Sequence, residues 1–322
     1  MSRKNNLLRI CFMGTPSFAV TSLDAIFHSK HEIVGVVTAP DKPAGRGRRL
    51  QTSEVKKYAL EKELALYQPT NLKSEEFSNE LKEMNPDLIV VVAFRMLPKQ
   101  VWNFPKLGTF NVHASLLPDY RGAAPIHWAI INGEQKTGVT TFFLNEDIDT
   151  GEIILQKELS IGKNDSLGEI YPKLEKLGAE ALVETLDLIA SGNAKSTPQP
   201  NGQEVKHAPK LTKENTQLDW NANTEEIHNM IRGLSPFPVS WTTLKSKVEN
   251  NDEKLCKIYK ASIYSNEMTV NPGEIISDKK KILVQTKDGF LSIEEMKIEG
   301  KKKMSAIDLI NGNLIDGKSY FS

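Results

Sequence analysis

From residue 8 to residue 189 the hydrophobic positions switch between two kinds of period. The run 8–13 (LRICFM) is largely apolar and stops at Gly14. Residues 17–28 then space their apolar positions along one helical face, with Pro16 at the mouth. Residues 33–37 predict a second strand, and 53–62 and 74–84 predict helices. The clearest buried strand is 88–93 (LIVVVA), apolar throughout, as a strand covered on both faces is. Residues 110–113 and 139–144 predict further strands with a helix over 124–131 between them. A long amphipathic helix over 167–189 closes this part, and 191–193 supplies a glycine-containing stop. Strands and helices in alternation predict an α/β domain with a doubly wound parallel sheet over residues 1–193.

The pattern lapses over 194–209, which is rich in Pro, Gln, Lys and Asn and has no period, and we read it as an interdomain linker. Beyond it the texture changes. A helix is predicted over 224–232, followed by short β-type runs at 239–244, 254–264, 273–277, 282–286 and 290–299. Short strands this closely spaced predict a small barrel or sandwich, so residues 210–322 form a second domain.

Bulk properties narrow the function classes only a little. A length of 322 residues suits two domains, and 39% hydrophobic with 25% charged residues is ordinary for a globular protein. Lys plus Arg and Asp plus Glu number 41 each, so overall charge does not announce a nucleic-acid partner and any such case rests on local patches. Two cysteines, Cys11 and Cys256, cannot build a disulfide framework, and neither has metal-ligand spacing. The N-terminal stretch has no apolar h-region, and no run approaches the ~18 apolar residues of a membrane span, which together predict a cytoplasmic protein.

Candidate chemistry gathers in three segments. In 110–128 (FNVHASLLPDYRGAAPIHW) a strand delivers Asn111, His113 and Ser115 at alternate positions, which puts them on one face. Polar groups at the carboxyl ends of parallel strands lie where open α/β sheets bind ligands. The segment 145–153 (NEDIDTGEI) follows the next strand and offers Asp147 and Asp149 for a carboxylate–histidine pairing, a turn or a divalent cation. The third segment, 41–50 (DKPAGRGRRL), holds Lys42, Arg46, Arg48 and Arg49 among glycines, which suits phosphate contacts as well as a solvated loop. Gly14 stands without the further glycines of a dinucleotide fingerprint, and there is no phosphate-binding G-x-x-x-x-G-K-[ST] loop and no G-x-S-x-G elbow. Hydride transfer, ATP-driven chemistry and serine hydrolysis are therefore disfavoured.

Taken together, FMGTPSFAV, PDKPAGRGRRL, FNVHASLLPDYRGAAPI, DTGEI, HAPKLTKEN and SPFPVSW resemble the methionyl-tRNA formyltransferase family of folate-dependent formyltransferases over nearly the whole chain. The resemblance implies a Rossmann-like formyltransferase fold followed by an OB-like β-barrel that binds tRNA. It implies transfer of the formyl group from 10-formyltetrahydrofolate to the α-amino group of methionyl-initiator-tRNA for translation initiation, by a monomer, without a metal. It assigns Asn111, His113 and Asp149 to catalysis and Ser115, Leu116, Leu117 and Pro118 to the folate site. It assigns Lys42, Arg46, Arg48 and Arg49 to the tRNA. Asp119 and Asp147 depart from the family pattern.

Overall fold

The apolar runs become strands and the amphipathic stretches helices in the computed structural model, which describes residues 7–44, 49–200, 204–246, 253–278, 280–315 and 319–322. The first part runs β1 (Arg9–Gly14), α1 (Ser17–Phe27), β2 (Glu32–Val37), β3 (Lys42–Ala44), β4 (Arg49–Gln51), α2 (Glu54–Glu61), β5 (Leu66–Tyr67) and α3 (Glu75–Met84). It continues through β6 (Leu88–Val92), α4 (Lys99–Trp102), β7 (Thr109–His113), β8 (Arg121–Gly122), α5 (Pro125–Ile131), β9 (Lys136–Phe143), β10 (Ile153–Ser160) and α6 (Leu167–Ser191). By contacts the chain forms two compact units. One is Met1–Gly122 with Thr137–Leu159 and Pro172–His207, and the other is Ala123–Lys136 with Ser160–Tyr171 and Ala208–Ser322.

The first unit is built on a sheet of order β10-β9-β7-β6-β1-β2-β5. It is parallel from β5 through β2, β1 and β6 to β7. The direction reverses at β9, which pairs antiparallel with β7 so that Phe110 lies opposite Phe143 and His113 opposite Thr140. The sheet is thus parallel-dominated, with an antiparallel edge that begins at β9 and that apolar periodicity alone does not encode. Alternation along the central strands sorts the core: Cys11 and Met13 of β1 and Ile89 and Val91 of β6 pack with Phe77, Leu81 and Met84 of α3. Ser53 and Ser74 cap α2 and α3 by accepting from Lys56 N at 2.9 Å and Phe77 N at 3.3 Å, which fixes where those helices begin. In the stretch read as a linker, Thr197 exchanges backbone bonds of 2.8 Å with Ile153, and Gln199 is buried.

After β11 (His207–Ala208), the second unit continues with α7 (Thr224–Leu234), β12 (Ser240–Ser246), β13 (Lys254–Ser265), β14 (Ile275–Ser277), β15 (Ile282–Gln285), β16 (Phe290–Ile298), β17 (Lys303–Ser305), α8 (Ala306–Asn311) and β18 (Ser319–Phe321). Its sheet runs β14-β15-β16-β13-β12-β18, with β17 on β16, and its pairs are antiparallel. A bridge between Glu274 and Tyr320 joins the two ends of that order, giving the nearly closed barrel expected from the sequence. Inside, Trp220 stacks on Phe321 at 5.4 Å and donates its indole N–H to Thr242 Oγ1 at 3.0 Å, so the one polar atom of the ring is satisfied. An Asn223–Glu226 capping box starts α7.

Ile89 is fully buried between β1 and α3, whereas Leu60 on α2 is 60% exposed. Ile89→Ala is expected to destabilise the protein by about 2–5 kcal/mol through lost transfer energy and a residual cavity. Leu60→Ala should stay within about 0.5 kcal/mol of the parent. Chemical denaturation of both variants checks this, and equal midpoints would show that β6 is not core.

Candidate active site

The strand β7 alternates, so Asn111 and His113 point to the same face at its carboxyl end. His113 is buried, and its Nε2 lies 2.8 Å from the carbonyl oxygen of Tyr120. A carbonyl can only accept, so Nε2 carries a proton and donates it there. Nδ1 is then the nitrogen free to gain or lose a proton. It faces Asp149 Oδ2 at 3.9 Å, too long for a hydrogen bond but well within Coulomb reach. The edge of Phe142 closes the ring's other flank, with centroids 6.4 Å apart at 82°. Asn111 is half-exposed, and its amide bonds no group among the described residues, which leaves two N–H donors for a ligand.

The carboxylate of Asp149 is aimed by its backbone. Asp149 adopts φ +54°, a left-handed turn, and its Oδ2 accepts from Gly122 N at 3.0 Å. Two residues on, a Cβ at Gly151 would lie 1.6 Å from Phe143 O, so only glycine lets the loop lie against the end of β9. Asp147, the other acidic candidate, is exposed. The turn therefore selects Asp149 for the histidine and leaves Asp147 in solvent.

Ser115 lies beyond the end of β7, in a bend where alternation no longer governs the side chain. It is buried and donates its hydroxyl to Asp119 O at 2.7 Å. Thr140 Oγ1 donates to Ser115 O at 2.7 Å and accepts from Leu117 N at 3.1 Å, and Gln156 Nε2 donates to Leu117 O at 2.9 Å. Leu116, Leu117 and Pro118 are therefore a pinned turn next to the histidine, the Leu117–Pro118 bond being cis. Lys42 is exposed at the start of β3, which pairs antiparallel with β4 so that Lys42 lies opposite Gln51. Arg46 and Arg48 lie outside the described residues, as does the side chain of Arg49.

The sequence reading missed the groups that orient the pair. Tyr120 O and Gly122 N–H are backbone atoms and have no side-chain signature. Gln199 donates from Nε2 to Asp149 O at 2.9 Å and to Gly151 O at 2.8 Å, and it sits in a stretch without periodicity. Among the described residues, no three His, Cys, Asp or Glu side chains gather as a metal site, and no helix is long and apolar enough to cross a membrane.

The formyl transferase family model matches residues 8–186, and the formyl transferase C-terminal domain model matches residues 210–314. A methionyl-tRNA formyltransferase from Flavobacterium johnsoniae is 51% identical over 305 residues, covering 95% of this chain and 96% of its own. One from Clostridioides difficile is 45% identical, covering 96% and 98%. Among solved structures, the sugar 3N-formyl transferase WlaRD, in the presence of dTDP and 5-N-formyl-THF, aligns with TM-score 0.64 at 21% identity, over 92% of this chain and 99% of its own. HypX from Aquifex aeolicus in complex with tetrahydrofolic acid aligns with TM-score 0.63 at 21% identity, over 95% of this chain and 47% of its own. At that identity the two structures speak for the fold alone.

Because Phe143 O leaves no room for a Cβ at Gly151, Gly151→Ala must move backbone against backbone. A loss of about 1–3 kcal/mol is expected from this overpacking. An unchanged denaturation midpoint would mean that the Asp149 loop does not lie against β9.

Proposed function

The chain belongs to the formyltransferase family, and from that premise we propose that it moves the formyl group of 10-formyltetrahydrofolate onto the α-amino group of methionyl-initiator-tRNA. One observation carries the choice of acceptor: relatives named methionyl-tRNA formyltransferase match about 95% of this chain, the C-terminal part included. The site geometry supplies matching chemistry. An α-amino group has a pKa near ~8, so a useful fraction is neutral around pH 7 and can attack the formyl carbon. The carbonyl electrons move to oxygen, and Asn111 donates to that developing oxyanion. The attacking nitrogen, now cationic, gives its proton to His113 Nδ1. Asp149 at 3.9 Å stabilises the imidazolium while Tyr120 O holds the ring. When the bond from the formyl carbon to N10 breaks, the same proton returns to N10 and the histidine is restored. No atom of the protein becomes covalently attached.

The pinned turn Ser115–Leu116–Leu117–Pro118 forms one wall of the folate site in this reading. Lys42, Arg46, Arg48 and Arg49 engage the phosphates of the tRNA acceptor end, and the barrel supplies further RNA contact. These assignments rest on the family motifs that the segments carry.

Labelled formyl should pass to charged initiator tRNA in preference to free amines or amino sugars, and transfer only to the latter would replace the acceptor. Asn111→Ala should lower kcat about 10²–10³-fold with the fold intact, as loss of one oxyanion donor does. A variant with parental kcat would remove Asn111 from the chemistry.

Ionic contacts to phosphate weaken as salt rises. Arg46→Ala should therefore raise KM for Met-tRNA and flatten its salt dependence, while the folate Kd stays constant. Equal KM and equal salt slopes in both proteins would take the basic loop out of the site.

A further inference from the structure

Three loops meet around Asp149, and a single side chain ties them. Gln199 is 6% exposed, and both ends of its carboxamide are in use. Its Nε2 donates one hydrogen to Asp149 O at 2.9 Å and the other to Gly151 O at 2.8 Å. Its Oε1 accepts from Arg121 Nε at 3.1 Å. Arg121 precedes Gly122, whose N–H donates to the Asp149 carboxylate at 3.0 Å. The contacts close a ring: carboxylate to Gly122, Gly122 through the chain to Arg121, Arg121 to Gln199, and Gln199 back to the carbonyl of Asp149.

We propose that Gln199 is a positioning residue for the transfer reaction, holding the Asp149 carboxylate at His113 Nδ1 by clamping the left-handed turn that carries it. The inference rests on the roles given above to His113 and Asp149.

The physical case has three parts. First, Asp149 is a non-glycine residue at φ +54°, a conformation that persists only where the surroundings impose it. Gln199 takes the carbonyls on both sides of Thr150, so the turn cannot flip without leaving two buried N–H donors unmatched. Second, the same carboxamide accepts from the Arg121 guanidinium, so it also ties the turn to the segment that carries the Gly122 N–H. Third, the histidine–carboxylate separation of 3.9 Å is Coulombic rather than bonded, so no bond between the two side chains holds it and the contacts that fix each of them must. A shift on the order of 1 Å at a reacting pair costs roughly 10²-fold in rate. Gln199 comes from the segment after α6, 50 residues from Asp149 in sequence, so a stretch outside the matched N-terminal family segment completes the site.

The test uses the full-length chain with Gln199→Met, which keeps volume and removes every carboxamide bond, and Gln199→Glu, which keeps the Arg121 acceptor and sets a carboxylate against two carbonyls. The comparator is Asp149→Asn. Gln199→Met should lose about 10- to 100-fold in kcat with KM for both substrates within about twofold. Its pH–rate profile should move in the same direction as that of Asp149→Asn. The Gln199→Met/Asp149→Asn double variant should be no slower than Asp149→Asn alone, because one residue acts through the other. Gln199→Glu, folded by its thermal midpoint, should be impaired as well. The His113 ring resonances at fixed pH give a readout independent of any acceptor, and Gln199→Met should displace them as Asp149→Asn does. Additive losses in the double variant, or unmoved His113 resonances, would overturn the proposal. A parent enzyme that transfers no formyl group would instead sink the functional reading and leave the resonance test of Gln199 standing.

Discussion

A carbonyl oxygen accepts hydrogen bonds and never donates them, and the candidate site depends on that asymmetry. Because His113 gives its Nε2–H to Tyr120 O, the ring is left with Nδ1 as its one exchangeable position, and the loop bearing Asp149 brings a carboxylate there. The arrangement requires two non-glycine residues in the left-handed region, Tyr120 at φ +61° and Asp149 at φ +54°. Such conformations cost on the order of 1–3 kcal/mol each and need compensation nearby. Tyr120 is held by its own N–H on Lys206 O at 2.6 Å, and Asp149 by Gly122 and Gln199. The strain lies in the two loops, while β7 and β9 beneath them are regular and buried.

How much of this could be read from the residues follows from which signals a sequence carries. Asn111 and His113 were legible because a strand has period two, and the polar positions of FNVH interrupt an otherwise apolar run at that spacing. The choice of Asp149 over Asp147 came from the family motif and not from spacing, since spacing in a loop does not say which side chain a turn directs inward. Gln199 was invisible for a stronger reason. Its neighbours Pro198 and Pro200 deny the segment any regular period, so a buried glutamine there looks like any polar linker residue. Tyr120 O and Gly122 N–H belong to the main chain and depend on conformation alone.

The same logic divides the fold. The parallel core was legible because the apolar runs Leu88–Val92 and 10–13 are buried throughout. The antiparallel step to β9 was not, because pairing direction depends on how the chain returns to the sheet rather than on the composition of the strand. β10 was missed since alternate residues of IILQKELS are exposed, and an edge strand with a polar face resembles a loop. In the second unit the β-type runs were clear. Closure depends on the three residues Ser319–Phe321, too few to register as a strand until they pair with β12 and meet Glu274.

A second buried histidine shows why proximity of a carboxylate is not by itself a proton relay. His31 also sits near an aspartate, with Nε2 3.5 Å from Asp187. Its Nδ1, however, accepts from the backbone N–H of Leu8 at 3.3 Å, so the proton must sit on Nε2 and the acceptor position is already filled. Burial lowers its pKa further from the usual histidine range. The ring is thus held neutral with no nitrogen left for exchange, which is the behaviour of a packing residue. Burial likewise pushes the Cys11 and Cys256 thiols up to about 12, so neither supplies a thiolate near neutrality. His113 differs from His31 in the polarity of one backbone contact: its partner is a carbonyl where that of His31 is an N–H. That difference leaves Nδ1 open beside Asp149, at the end of the strand that also presents Asn111.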